Sequence, residues 1–240
     1  MRGPLFWLSM PFLLPQALRL RRSAPRFSAA AGPVSGTVGD GPRRTLLALG
    51  DSIIAGVGAS RLSVALVGQT ASHLALLEQV KVDWQAHGHV GFSTSKFLRH
   101  YERGLPGGDP DYVVISLGVN DITSLATMAR WTEGLNEVLS ICRRDYPRAV
   151  VALAGIPPLS IFPLLPEPLR SVMGKRGQAF DKLARDQVHR FPGMVHVPVD
   201  FELDPGFFAA DGFHPSERGY VEFGRGMAEA LNKANLNSVR

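Results

Sequence analysis

The sequence predicts an α/β domain built on a parallel sheet, and two observations carry that expectation. From Thr45 onward, short β-type runs alternate with stretches of helical periodicity, the pattern of strand–helix–strand units. Two of the runs, 46–49 and 113–117, are apolar throughout except for Ser116, as expected of strands covered on both faces.

Taken in order, the β runs are 46–49, 80–84, 112–117, 150–154 and 195–197, which predicts five parallel strands. Between them, apolar residues recur at helical spacing. Phe97, Leu98, Tyr101 and Leu105 share one face, and Leu135, Val138, Leu139 and Cys142 share another. Phe180, Leu183, Ala184, Val188 and Phe191 form a third stripe, and Tyr220, Phe223, Met227 and Leu231 a fourth. Cys142 is the single cysteine of the 240 residues and lies on a core stripe. It reads as a small buried apolar group, and one thiol excludes both an intrachain disulfide framework and a multi-cysteine zinc site.

The formal net charge of +5 is unevenly spread. Residues 1–44 hold seven arginines against Asp40 alone, a formal +6, and residues 45–240 hold 19 basic and 20 acidic side chains. A basic tail on a neutral body points to attachment or targeting, not to a nucleic-acid surface. The apolar stretch 5–18, broken by Pro11 and Pro15 and followed by Arg19, Arg21 and Arg22, is short for a membrane span. The favoured expectation is a membrane-surface anchor, with Phe6, Trp7 and Phe12 in the headgroup region and the arginines on anionic lipid, leaving the body on the cytoplasmic side. The alternative is a cleaved segment for export or an organelle. Residues 29–42 have the Gly, Pro and Ser content of a linker, so residues 1–44 are read as tail and linker and 45–240 as the folded domain.

In a parallel sheet ligands bind beyond the carboxyl ends of the strands, and polar residues cluster there. Gly50-Asp51-Ser52 follows the first run, Gly88 to Gly91 the second, Gly118-Val119-Asn120-Asp121 the third, and Asp211-Gly212-Phe213-His214 comes after the fifth. Ser52 precedes a helical stretch, where unpaired N–H groups favour developing negative charge. Asp211 lies three residues before His214, close enough on a helical turn to bond the imidazole and fix its tautomer. Asn120 offers a side-chain donor, and Gly91 a backbone N–H with no side chain in the way. Each element alone has an ordinary structural reading: a helix cap, a polar loop, an Asx turn. Neither a GxSxG elbow nor a phosphate-binding loop occurs, and Arg61 breaks a dinucleotide reading of Gly56-Val57-Gly58. His87 and His89 could serve as a metal pair, but no further ligand stands at a matching spacing.

Together these four blocks resemble the SGNH hydrolases, the GDSL-type esterases and lipases, over Thr45 to about Leu231. The resemblance implies a three-layer α/β/α, flavodoxin-like fold and a Ser52–His214–Asp211 triad. It also implies an oxyanion hole from the Ser52 N–H, the Gly91 N–H and the Asn120 side chain, with no cofactor. Two positions depart from the family pattern. Ile53 replaces the usual Leu, and the second block keeps only a glycine, so Gly88 competes with Gly91. The implied function is hydrolysis of acyl esters, lipid-like ones included. The alternatives are a carbohydrate O-deacetylase and a non-catalytic membrane-associated binding protein. The loop 156–169 has five prolines among mainly apolar residues. Its place after the fourth strand puts it beside these blocks, and the resemblance implies that such a loop borders the acyl pocket. Ile156, Pro157, Leu159 and Phe162 are then candidates for the acyl-binding wall; the alternatives are packing against its own domain and membrane contact.

Overall fold

A computed structural model describes residues 4–23, 27–199 and 205–238. In chain order the elements are α1 (Pro4–Ser23), β1 (Ser35–Val38), β2 (Arg43–Gly50), α2 (Leu66–Glu78), β3 (Lys81–Gly88), α3 (Thr94–His100), β4 (Tyr112–Ser116), α4 (Val119–Thr123), α5 (Met128–Asp145), β5 (Val150–Ala154), α6 (Leu169–Val188), β6 (Met194–Val197) and α7 (Glu217–Ser238). The sheet order is β1-β3-β2-β4-β5-β6. Five neighbouring strands run parallel, and β1 pairs antiparallel to the edge of β3.

The strand count corrects the expectation of five. β1 comes from the segment read as linker, and the alternating apolar pattern that would have announced it is missing from Ser35-Gly36-Thr37-Val38. A Cβ at Gly36 would stand 2.5 Å from the Trp84 ring, so the absence of a side chain lets the strand lie against the indole. Thr37 adds a hydrogen bond to Asp83 across the pair.

Strand periodicity separates the two cores. β2 sends Leu47 and Leu49 to one face with Val113, Ile115, Val151 and Leu153, beneath α3, α5 and α6. Leu46 and Ala48 point the other way with Val114 and Ala152, beneath α2 and α7. Three layers result, as the family resemblance implies. The α5 stripe is fully buried, and burial pushes the Cys142 thiol up to about 12. The thiol therefore stays protonated and unreactive near neutral pH.

Helix α1 lies against α6. Leu13 joins the core beneath it, and Gln16 Nε2 donates to the Glu167 carbonyl at 2.6 Å. Phe6 was expected among lipid headgroups. It is instead buried, its ring 4.1 Å from the Arg176 guanidinium, which also stands 4.8 Å from Phe180. A cation between two aromatic faces gains quadrupole attraction that partly offsets its desolvation. Among the described residues no helix is long and apolar enough to cross a membrane.

Candidate active site

The carboxyl ends of β2, β3, β4 and β5 open at one edge of the sheet. β2 ends at Gly50 with φ +151°, and a Cβ there would lie 2.1 Å from the Ser116 carbonyl. Only glycine lets β2 turn this closely over β4. Beyond it the backbone winds through wide helical turns, with Ala55 N–H donating to Asp51 O and Val57 N–H to Ser52 O, both at 3.0 Å. The helix expected directly after Ser52 starts only at Leu66.

Ser52 and His214, 162 residues apart, meet with Oγ and Nε2 separated by 2.9 Å. The His214 Nδ1 lies 2.6 Å from Asp211 Oδ2. The other Asp211 oxygen, Oδ1, accepts the backbone N–H groups of Phe213 and His214, each at 2.9 Å. One carboxylate thus closes its own turn and orients the imidazole. Burial raises the Asp211 carboxyl, but the His214 ring and the two N–H donors outweigh that and hold it below the usual range. The turn is anchored by α7, whose first turn is capped by Ser216 Oγ accepting from Gly219 N–H at 3.1 Å.

Asn120 lies on the short α4, lines the same cavity as Ser52, and donates from Nδ2 to the Phe92 carbonyl at 2.9 Å. That bond uses one amide hydrogen and leaves the other. Its neighbour Asp121 accepts from Thr94 N–H and Thr94 Oγ1, the latter at 2.7 Å. The two side chains clamp the loop carrying Gly91 on either side of Ser93. Gly91 has φ +79°, and no heavy atom lies closer than 4.0 Å to the place its Cβ would take. Gly88 is different: a Cβ there would stand 2.0 Å from the Ala55 nitrogen, so its bareness serves packing against the turn after Ser52. Among the described residues, no backbone carbonyl takes the N–H of Ser52 or of Gly91. His89 stacks on Phe92 at 4.4 Å and meets His100 at 4.3 Å, so it forms part of the packing behind this loop.

A cavity of about 50 Å³ opens beside Ser52 and His214. Of the loop candidates, Ile156, Pro157 and Phe162 line it and Leu159 does not. Leu159 is buried in the core, where a Cβ on Gly177 of α6 would meet its Cγ at 3.3 Å. An apolar residue in a stiff loop turns as readily into the protein as toward a ligand. The wall also includes Val199, Phe207, Phe208 and Phe213, none singled out from the sequence as a site residue. Their signal was three phenylalanines within seven residues of His214, in a stretch without strand or helix periodicity. Phe162 meets Phe208 and Phe213 edge-on, with ring centres 5.1 and 5.2 Å apart.

A second carboxylate and imidazole hold this wall from behind. Asp181 on α6 and His196 on β6 pair at 2.8 Å, and the same Asp181 oxygen accepts the Ile156 N–H at 2.8 Å. On the other side, Asp51 accepts from Ile53 N–H and Ser116 Oγ, each at 3.1 Å. Burial dominates there and raises its carboxyl to about 6.

The fold and the arrangement of Ser52, Asn120 and His214 along one sheet edge define the chain as an SGNH-type hydrolase fold. The family model of the GDSL-like lipases and acylhydrolases matches residues 48–221, and the chain belongs to that family. It is 29% identical over 194 residues to a GDSL-like esterase of Mycobacterium tuberculosis, covering 73% of this chain and 58% of that one; the chain thus spans little more than half the length of this relative. A carbohydrate esterase family 2 enzyme of Myceliophthora fergusii superposes with a TM-score of 0.63 at 18% identity, over 85% of this chain and 68% of that one. A G-D-S-L family lipolytic protein of Desulfitobacterium hafniense does so with 0.59 at 13% identity, over 78% and 99%. At such identities the structural likeness concerns the fold.

Proposed function

We propose that the protein is a serine esterase that transfers the acyl group of a carboxylic ester to water. The observation that carries this reading is the unbroken series Asp211–His214–Ser52 ending at an apolar cavity. Ser52 Oγ attacks the ester carbonyl while His214 Nε2 takes its proton. The imidazolium then returns that proton to the leaving alcohol. Water attacks the acyl-serine, His214 again accepts the proton and passes it to Ser52, and the acid leaves. Asp211 stays ionised throughout, holding Nδ1–H and stabilising the imidazolium.

The oxyanion is assigned to the Ser52 N–H, the Gly91 N–H and the remaining Asn120 amide hydrogen. The openness around Gly91 supports its choice over Gly88, whose position is filled by the Ala55 backbone. Losing the Asn120 donor, as in Asn120→Ala, costs about 10²–10³ in kcat, because its bond strengthens only as charge develops.

The acyl group sits among Ile156, Phe162, Phe208 and Phe213. The small size of this cavity favours a short chain, and it also supports a second reading, removal of acetyl groups from a carbohydrate. The test is hydrolysis of acetyl, butyryl and octanoyl p-nitrophenyl esters and of acetylated xylo-oligosaccharides, together with fluorophosphonate labelling of Ser52. Rates falling from butyryl to octanoyl support the short-chain assignment; turnover of the acetylated sugar above all aryl esters establishes the second reading. Failure of Ser52 to take the label returns the fold to a non-catalytic binding role.

A further inference from the structure

We propose that the outward face of α1 docks on an anionic lipid surface while the inward face stays packed on α6. This goes beyond the esterase reading and does not depend on it. The inward face is occupied: Phe6 covers Arg176, Leu13 enters the core, and the Gln16 side chain bonds the chain at Glu167 and Leu169. These contacts fix which side of the helix looks outward. That side carries Phe12 at 85% exposure, Leu14 at 46% and Leu18 at 43%, with Arg19 and Arg22 beside them.

An exposed helix face on a domain in water is normally charged in both signs. Helices α6 and α7 carry both signs, whereas α2 exposes Leu76 and Leu77 beside the acidic Glu78. Lys182 pairs with Asp186 on α6, and Arg225 pairs with Glu222 on α7. The outward face of α1 departs from the pattern twice. It offers large apolar side chains to solvent, and its charges are all positive, for the first acidic residue of the chain is Asp40. Apolar side chains flanked by arginines match the acyl–headgroup boundary of an anionic bilayer. A second copy of the chain fits less well, since two such faces would set arginine against arginine.

The placement has a geometric consequence. α6 follows β5 through the loop that lines the cavity, so its first turn lies at the catalytic edge of the sheet. Gln16 holds the carboxyl-terminal half of α1 beside that turn. Ile161, 39% exposed, lies in the same loop between the cavity-lining Ile156 and the start of α6. A lipid surface on α1 would therefore stand near the cavity mouth.

The experiment is co-sedimentation of the full chain with sucrose-loaded phosphatidylcholine vesicles, with and without phosphatidylglycerol. The expected result is pelleting with the anionic vesicles and weak pelleting with the neutral ones. The combined change Phe12→Glu, Leu14→Glu and Leu18→Glu should abolish pelleting with Tm unchanged. Arg19→Gln with Arg22→Gln should weaken it about five-fold per arginine. Wild-type protein left in the supernatant with anionic vesicles overturns the proposal, as does equal pelleting with neutral ones. Light scattering that finds a vesicle-free dimer, dissolved by the same Glu substitutions, also overturns it by assigning the face to a second copy.

Discussion

Two carboxylate–imidazole pairs stand at the same end of the sheet and differ in what lies beyond them. In one, Asp211 holds His214 at 2.6 Å and the second ring nitrogen reaches Ser52. In the other, Asp181 holds His196 at 2.8 Å, and the carboxylate turns to the Ile156 backbone instead. The His214 side chain keeps 16% of its surface exposed beside the cavity, the His196 side chain only 3%. The pairing itself is therefore no mark of chemistry. A hydroxyl on the far nitrogen and room for a carbonyl beside it give the first pair its proposed catalytic role; among the described residues the second pair has neither, and it braces the cavity wall.

The largest expected effect separates the pairs outright. On butyryl ester, Ser52→Ala and His214→Ala should each lower kcat by about 10⁴-fold or more, whereas His196→Ala should leave kcat within about three-fold. Comparable losses at both histidines would erase the distinction. Next, Asp211→Asn should cost about 10³–10⁴ in kcat through the wrong tautomer, with KM little changed. In the second pair, Asp181→Ala leaves the Ile156 N–H and the His196 ring without their acceptor, at about 1–3 kcal/mol for each unsatisfied group. Its signature should be a lower unfolding midpoint in urea and a changed ratio of butyryl to octanoyl turnover. Asp181→Asn, which keeps an acceptor oxygen, should restore both, and a chain-length ratio indifferent to these changes would confine the brace to stability.

The smallest effect sharpens a third carboxylate. Asp51, with its carboxyl raised to about 6, binds its proton more tightly folded than unfolded. Stability is then expected to fall as pH rises from about 4 to 6, by at most about 3 kcal/mol from this group, and to stay lower above that window. Asp51→Asn retains an oxygen for Ile53 N–H and Ser116 Oγ and cannot ionise. Urea unfolding at pH 4, 5, 6 and 8 should show the slope flattened and the variant more stable at pH 8. An unchanged slope would place its source elsewhere.

The first pair was legible in the sequence and the second was not, for a physical reason. Asp211 and His214 sit in one tight turn, so spacing alone brings them together. Asp181 and His196 come from a helix and the next strand, and their meeting depends on how α6 packs. The same contrast runs through the molecule. Runs such as 46–49 and 113–117 announced buried strands because both faces had to be largely apolar. β1 did not, because an edge strand paired on one side demands little of its side chains. Ile156 and Phe162 followed from loop position, whereas Leu159 shows that loop position cannot say which way a side chain turns. Phe6 looked lipid-facing because nothing in its neighbourhood reveals Arg176, 170 residues further along the chain.

The Ser52–His214 separation is set by backbone meeting backbone. At Gly58 a Cβ would fall 2.2 Å from the Pro215 carbonyl, while Tyr220 Oη donates to the Val57 carbonyl at 2.7 Å and Glu217 accepts the Ser60 N–H at 2.9 Å. A single methyl at position 58 would wedge the serine loop off the histidine turn with every reacting group still in the chain. A mutational screen for lost turnover would then rank that glycine with Ser52, His214 and Asp211, so an inactive variant is no proof that the altered residue ever touches an ester.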